Sequence, residues 1–275
     1  MSLLTDILTL FGPIILFFVA MIIIYFRGIK INNRIYSELK EEIETSLKQY
    51  TTKVEITQIK PETYEIYCHA KNKNIAVLTL VLQLVNRTFI IQWLINLLFK
   101  EKEKLFIGAK IHNEGSIDNP AYKFEVVPYR KKMFIRQRFE KFVELDDIPT
   151  INLEIDKQYM IKSESRNHVI QFVEEQEIIN LLEKLEPSLE YISIRKSAED
   201  TDPHISINSE FRTDIGKIPI ADLIKLFFII AELHIDNHER IKRLIVQGQK
   251  NKGYSSKRGI AKRGAGKTNI KKTKK

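Results

Sequence analysis

The sequence predicts an α+β fold hung from one N-terminal transmembrane helix, and three observations carry that reading. Ile7 to Phe26 is a run of twenty residues without a charge. At about 1.5 Å per residue it makes about 30 Å of helix, the hydrocarbon thickness of a bilayer. Behind it, short segments of strand character and segments of helical period follow one another to about residue 246. The last 26 residues then carry eleven Lys and Arg and no acid, the composition of a solvated arm.

The apolar run (domain 1–28) reads as a retained anchor. A secretory signal peptide wants Lys or Arg before its apolar stretch and small residues after it. Here Asp6 is the only charge before it, and the run ends in Ile24-Tyr25-Phe26-Arg27 without a cleavage pattern. Gly12-Pro13 loosens the outer end of the span without breaking it. Arg27, Lys30, Arg34 and Lys40 follow the run, and no base precedes it. The positive-inside rule therefore places residues 27–275 in the cytoplasm, at the cell membrane of a prokaryote or the endoplasmic reticulum of a eukaryote.

Composition is that of a globular protein, 44% hydrophobic and 29% charged. The net charge of +9 belongs to the tail, because the other 33 of the 44 bases face 35 acids. The single cysteine, Cys68, excludes an intramolecular disulfide and suits a reducing compartment.

Taken in order, Ile31 to Tyr50 reads as a helical stalk (29–50), with Ile35, Leu39, Ile43 and Leu47 at steps of four, running on from the span. A first α+β half (51–145) opens with a hairpin, Lys53–Ile59 and Thr63–Ala70, about Lys60-Pro61-Glu62. Ile75 to Phe99 is read as a strand buried on both faces, to Val85, feeding a core helix with Ile90, Trp93, Leu94, Leu97 and Leu98 on one side. Gln83, Asn86, Arg87, Gln92 and Asn96 argue against a second span, since an Arg at mid-membrane costs about 2.5–3.5 kcal/mol. A membrane segment or interfacial helix is the alternative. Strands at Leu105–Ile111 and Tyr122–Val127 and a helix at Arg130–Val143 follow. After a connector (146–157), the second half (158–247) repeats the β-α-β-β-α order: Tyr159–Glu164, Val169–Leu185, Leu189–Arg195, Ile205–Phe211 and a long helix from Ile218 towards Val246. Ile95-Asn96-Leu97-Leu98 recurs as Ile179-Asn180-Leu181-Leu182, which suggests related halves.

No catalytic constellation, cofactor motif or metal set stands out. Gly264-Ala265-Gly266-Lys267-Thr268 resembles a phosphate loop, but Ala261 stands where Gly is needed and no strand precedes it. His234 and His238 lack a third ligand, and Glu199, Asp200 and Asp202 beside His204 suit a solvated turn. Asn86-Arg87-Thr88 fits the glycosylation triplet but falls on the cytoplasmic side. Cys68, in an apolar strand, should be inert. The functional signal is the tail (248–275): Lys250, Lys252, Lys257, Arg258, Lys262, Arg263, Lys267, Lys271, Lys272, Lys274 and Lys275 among Gly, Ser and Thr. Such an arm neutralises phosphates along RNA; anionic lipid competes as the target, and a merely solubilising terminus is the plain alternative. Arg130, Lys131, Lys132, Arg136 and Arg138 form either a second basic patch or an ordinary solvated face.

The order of parts resembles the calumin-type coiled-coil subunit of the PAT complex, part of the multipass translocon. The likeness rests on the single span, the strand Tyr64-Glu65-Ile66-Tyr67-Cys68, and Leu80-Val81-Leu82-Gln83-Leu84 running through Asn86-Arg87 into a helix. It continues in Tyr122–Val127 leading to Arg130-Lys131, and in an α-β-β-α second half with a basic end. The resemblance implies a non-enzymatic chaperone and adaptor beside the Sec translocon. It implies contact with RNA of the large ribosomal subunit and a small membrane partner that shields polar transmembrane segments. The chain departs from the family in lacking an acidic luminal domain and in ending in a short basic arm instead of a long coiled coil. A reduced, archaeal relative would account for both.

Overall fold

A computed structural model describes residues 3–111, 123–131, 145–150, 152–164, 166–195, 204–213 and 219–236. The chain divides into a main unit, Met1–Ala231, and a second unit, Glu232–Lys275. Of the second unit, residues 232–236 are helical and the rest, with the whole basic tail and His238, lies outside the described residues.

The expected span and stalk are one helix, α1 (Leu3–Leu47), with Pro13 near its N-terminal end. Its C-terminal part is rooted in the body: Ile35, Leu39, Ile43 and Leu47 are all buried, so the four-residue stripe is its core face. Tyr36 stacks on Tyr64 at 3.7 Å. The helix ends where Thr51 Oγ1 donates to the Leu47 carbonyl at 2.9 Å, satisfying a terminal acceptor. β1 (Thr51–Lys60), β2 (Thr63–Ala70), β3 (Ile75–Gln83), α2 (Ile90–Phe99) and β4 (Glu103–Ile111) follow.

After residues 112–122, which are not described, come β5 (Phe124–Pro128) and a 3-10 turn, Tyr129–Lys131, where the sequence suggested a helix opening; residues 132–143 of that expected helix lie outside the described residues. β6 (Asp146–Asp147) and α3 (Leu153–Gln158) replace the irregular connector. Asn152 caps α3, its Oδ1 accepting from Glu154 N and Ile155 N. β7 (Tyr159–Ser163) leads to α4 (Arg166–Glu174) and α5 (Gln176–Leu185). The single helix expected there is broken by an extended Glu175. β8 (Leu189–Ile194), β9 (Ile205–Phe211) and α6, helical from residue 220 to the end of the unit, complete it.

The strands form one nine-stranded sheet in the order β1-β2-β3-β4-β9-β8-β5-β7-β6, with every neighbouring pair antiparallel. Two expectations change here. β3 is buried on one face only: Leu78, Leu80 and Leu82 are inside while Val77 is exposed, as suits an antiparallel meander with one face on the core. The strands of the two expected halves are arranged differently. β3 and β4 are antiparallel neighbours, whereas β7 and β8 both pair with β5 between them and so run parallel. β5 is buried along its whole length, and Phe124 packs on Phe172 of α4 at 4.8 Å. Tyr50, just before β1, stacks on Phe228 of α6 at 3.9 Å.

A third expectation is overturned. α2 is not a core helix, since Ile91, Leu94, Leu98 and Phe99 are exposed. The side chains of Trp93 and Leu97 lie outside the described residues.

Candidate membrane-proximal site

The candidate site lies where α1 enters the body. Phe17, Phe18, Ile22, Ile23 and Phe26 are more than half exposed, and α1 is, among the described residues, the one helix long and apolar enough to cross a membrane. Two residues past Phe26 the surroundings change. A Cβ at Gly28 would stand 2.1 Å from the Arg87 carbonyl oxygen, so the connector between β3 and α2 crosses α1 in direct backbone contact. Glycine is needed there for close approach.

Polar side chains lock this crossing. Asn32 Nδ2 donates to the Val85 carbonyl at 3.2 Å, and Arg87 Nη1 donates to Asn32 Oδ1 at 3.0 Å. Arg87 Nη2 reaches Glu103 Oε1 at 2.6 Å, and Thr213 Oγ1 donates to the same oxygen at 3.4 Å. Glu103 is only 1% exposed, so the Arg87 guanidinium is the charged partner of a buried side chain. Asn86 Oδ1 accepts from Thr88 N at 3.0 Å and Thr88 Oγ1 at 2.8 Å. The glycosylation-like triplet therefore builds the turn. An open groove of about 750 Å³ beside the crossing is lined by Ile23, Ile24, Arg27, Asn96 and Lys100, among others.

The proposed second basic patch is resolved in part. Arg130 Nε pairs with Glu186 at 2.7 Å, and its Nη2 donates to the Leu189 and Glu186 carbonyls. Lys131 Nζ pairs with Glu210 at 2.6 Å and Glu190 at 3.2 Å. These two bases are thus matched by three carboxylates. Lys132, Arg136 and Arg138 lie outside the described residues. Burial acts to raise Glu210, but hydrogen bonds from Lys131 and Lys104 win and hold it down to about 2. Burial, and then the neighbouring Glu210, raise Glu190.

Of the remaining candidates, Cys68 and His204 have structural surroundings. Burial pushes the Cys68 thiol up to about 12, which makes it a poor nucleophile. His204 Nδ1 accepts from the backbone N–H of Ile111 at 3.0 Å, and burial lowers its pKa; Glu199, Asp200 and Asp202 lie outside the described residues, as does the phosphate-loop-like segment. One buried acid escaped sequence reading. Glu125, at the second position of β5, accepts from Ser193 Oγ at 2.5 Å and Arg195 Nε at 2.9 Å, yet burial pushes it up to about 7.

A long apolar helix rooted without a linker in an antiparallel α+β body defines the class, that of a membrane-anchored α+β protein. The family model described as PAT complex subunit CCDC47 matches residues 11–243, and the chain belongs to that family. Membership fits a role in membrane-protein biogenesis, within a membrane protein complex. No individual curated protein matches the chain.

Proposed function

We propose that this chain is a membrane-anchored adaptor that works by binding, not catalysis, holding its α+β body against the membrane near the ribosomal tunnel exit and the Sec translocon. There it assists insertion of multi-span proteins together with a small membrane partner. The observation that carries the reading is the continuity of α1 from an exposed apolar stretch into the core. A rigid root keeps the body at a fixed height over the bilayer, where a flexible linker would let it wander. Arg27, Lys30 and Arg34 just beyond the apolar run support a cytoplasmic body.

The eleven bases of residues 250–275 supply a tethered second contact. A flexible chain of that length reaches about 25–30 Å, and two weak contacts on one tether bind better than either alone. Large-subunit RNA is its target in this reading. The full chain in nanodiscs should co-sediment with large ribosomal subunits at low salt and lose this steeply as salt rises. Deleting residues 250–275 should weaken it. Unchanged pelleting after the deletion would remove the arm from the mechanism, and flotation with anionic vesicles in place of pelleting would make lipid its target.

A further inference from the structure

We propose that α2 is an interfacial helix, seated in the headgroup region of the bilayer beside the exit of α1, with its apolar face turned into the lipid. The proposal rests on α1 crossing the membrane and adds a second membrane contact that belongs to the folded body.

The amphipathicity of α2 is inverted for a helix on a soluble domain. Ile91, Leu94 and Leu98 fall three and four apart on one stripe and are 70%, 47% and 75% exposed, and Phe99 beyond them is 75% exposed. The polar side chains are engaged in hydrogen bonds instead, Asn96 to the body and Gln92 to the segment just past the helix. Asn96 Nδ2 donates to the Asn86 carbonyl at 2.7 Å, and Gln92 Nε2 donates to Glu101 at 2.9 Å. No residue of the helix is charged. An uncovered apolar stripe on an ordered helix marks an interaction surface.

Its position says what covers it. Gly28 of α1 touches the connector at Arg87, three residues before α2 begins, so α2 leaves the body one helical turn from the end of the apolar run. Asn96 and Lys100 then line the same groove as Ile23 and Ile24. The body-facing side of α2 therefore borders the inner end of the apolar run, and its exposed stripe lies beside the level at which α1 leaves the lipid. A second span is excluded by length and by register. Ten residues make about 15 Å of helix, half of what a bilayer needs. Gln83 and Lys104 are paired across β3 and β4, so the segment leaves and returns on the same side. Arg87, Lys100, Lys102 and Lys104 flank it, suited to headgroup phosphates. The tip of the first hairpin reaches the same level: Ile59, Lys60 and Pro61 border a cleft with Tyr25 and Thr88, and Ile59 is exposed.

The test is depth-resolved spin labelling of the full chain in vesicles of zwitterionic and anionic phospholipid. Single cysteines replace Ile22, Ile91, Leu94, Leu98 or Lys53 in a Cys68→Ala background. Each nitroxide is compared for collision with oxygen, which concentrates in acyl chains, and with a water-soluble nickel chelate. The expected result is an oxygen-to-nickel ratio at 91, 94 and 98 several-fold above that at Lys53, and below that at Ile22. Ratios at 91, 94 and 98 equal to that at Lys53, with Ile22 buried in lipid, would overturn the proposal while leaving the anchor intact. Labels at these sites immobile and shielded from both reagents would overturn it in favour of a protein partner. If Ile22 itself reads as aqueous, the anchor fails and the proposal falls with it.

Discussion

Replacing Gly28 with alanine tests whether α1 is rooted in the body where the crossing places it. On an unobstructed helix the change is favourable, because alanine is better than glycine by about 1 kcal/mol in a helix interior. Here the added Cβ would stand 2.1 Å from the Arg87 carbonyl oxygen, 2.6 Å from its carbon and 3.2 Å from Thr88 N. These are backbone atoms, so no side chain can swing aside, and relief requires the connector to retreat by on the order of 1 Å to reach ordinary contact. That retreat stretches the Asn32 bond to Val85 and the Arg87–Glu103 pair. Overpacking of this kind costs about 1–3 kcal/mol, and weakening the buried pair adds to it. Set against the gain in helix propensity, the net is a destabilisation of about 2 kcal/mol, a fall of about 4–8 °C in the unfolding midpoint for a body of this size. Thermal unfolding of the full chain in nanodiscs reads this directly. Faster proteolysis within residues 84–102 would localise it. A midpoint that stays or rises would mean that α1 and Arg87 do not meet.

Other outcomes follow from the same contacts. Arg87→Ala strands the buried Glu103 carboxylate and should cost about 3–5 kcal/mol by denaturant unfolding, while the double change with Glu103→Gln should recover much of it. Glu125 has a folded pKa of about 7, raised from 4.5, so the native state holds a proton that the unfolded chain releases. Stability is therefore full below pH 4.5 and is lost as pH rises towards 7; Glu125→Gln should flatten that slope, and an unaltered slope would assign it elsewhere. Lys131→Met leaves Glu190 and Glu210 facing each other and should lower stability by about 1–3 kcal/mol near neutral pH, with partial recovery in mild acid.

What could be read from residue order was whatever depends on local period and apolarity. Leu189 and Ile205 open their strands where the alternation begins, and Ile35, Leu39, Ile43 and Leu47 face the core as their spacing requires. The break at Glu175 was not visible, because residues 166–185 keep a helical composition throughout. Arg87 was weighed as a cost inside a membrane; its partner Glu103 lies sixteen residues on, and no local pattern pairs them. Gly28 inside a helical run and Asn32 within its apolar stripe were the signals that could have pointed to the crossing.

The chain by itself determined that one helix is apolar on all sides for the thickness of a bilayer, that strands and helices alternate behind it, and that the excess positive charge sits in the last 26 residues. These are properties of adjacent residues and need no fold. The tertiary structure alone decided that Arg130 and Lys131 meet three carboxylates, that β5 lies between β7 and β8, and that α2 turns Leu94 and Leu98 outward. An apolar stripe has the same period whether it faces a core or a lipid. Which of the two it meets depends on strand pairing and helix crossing between residues far apart in the chain.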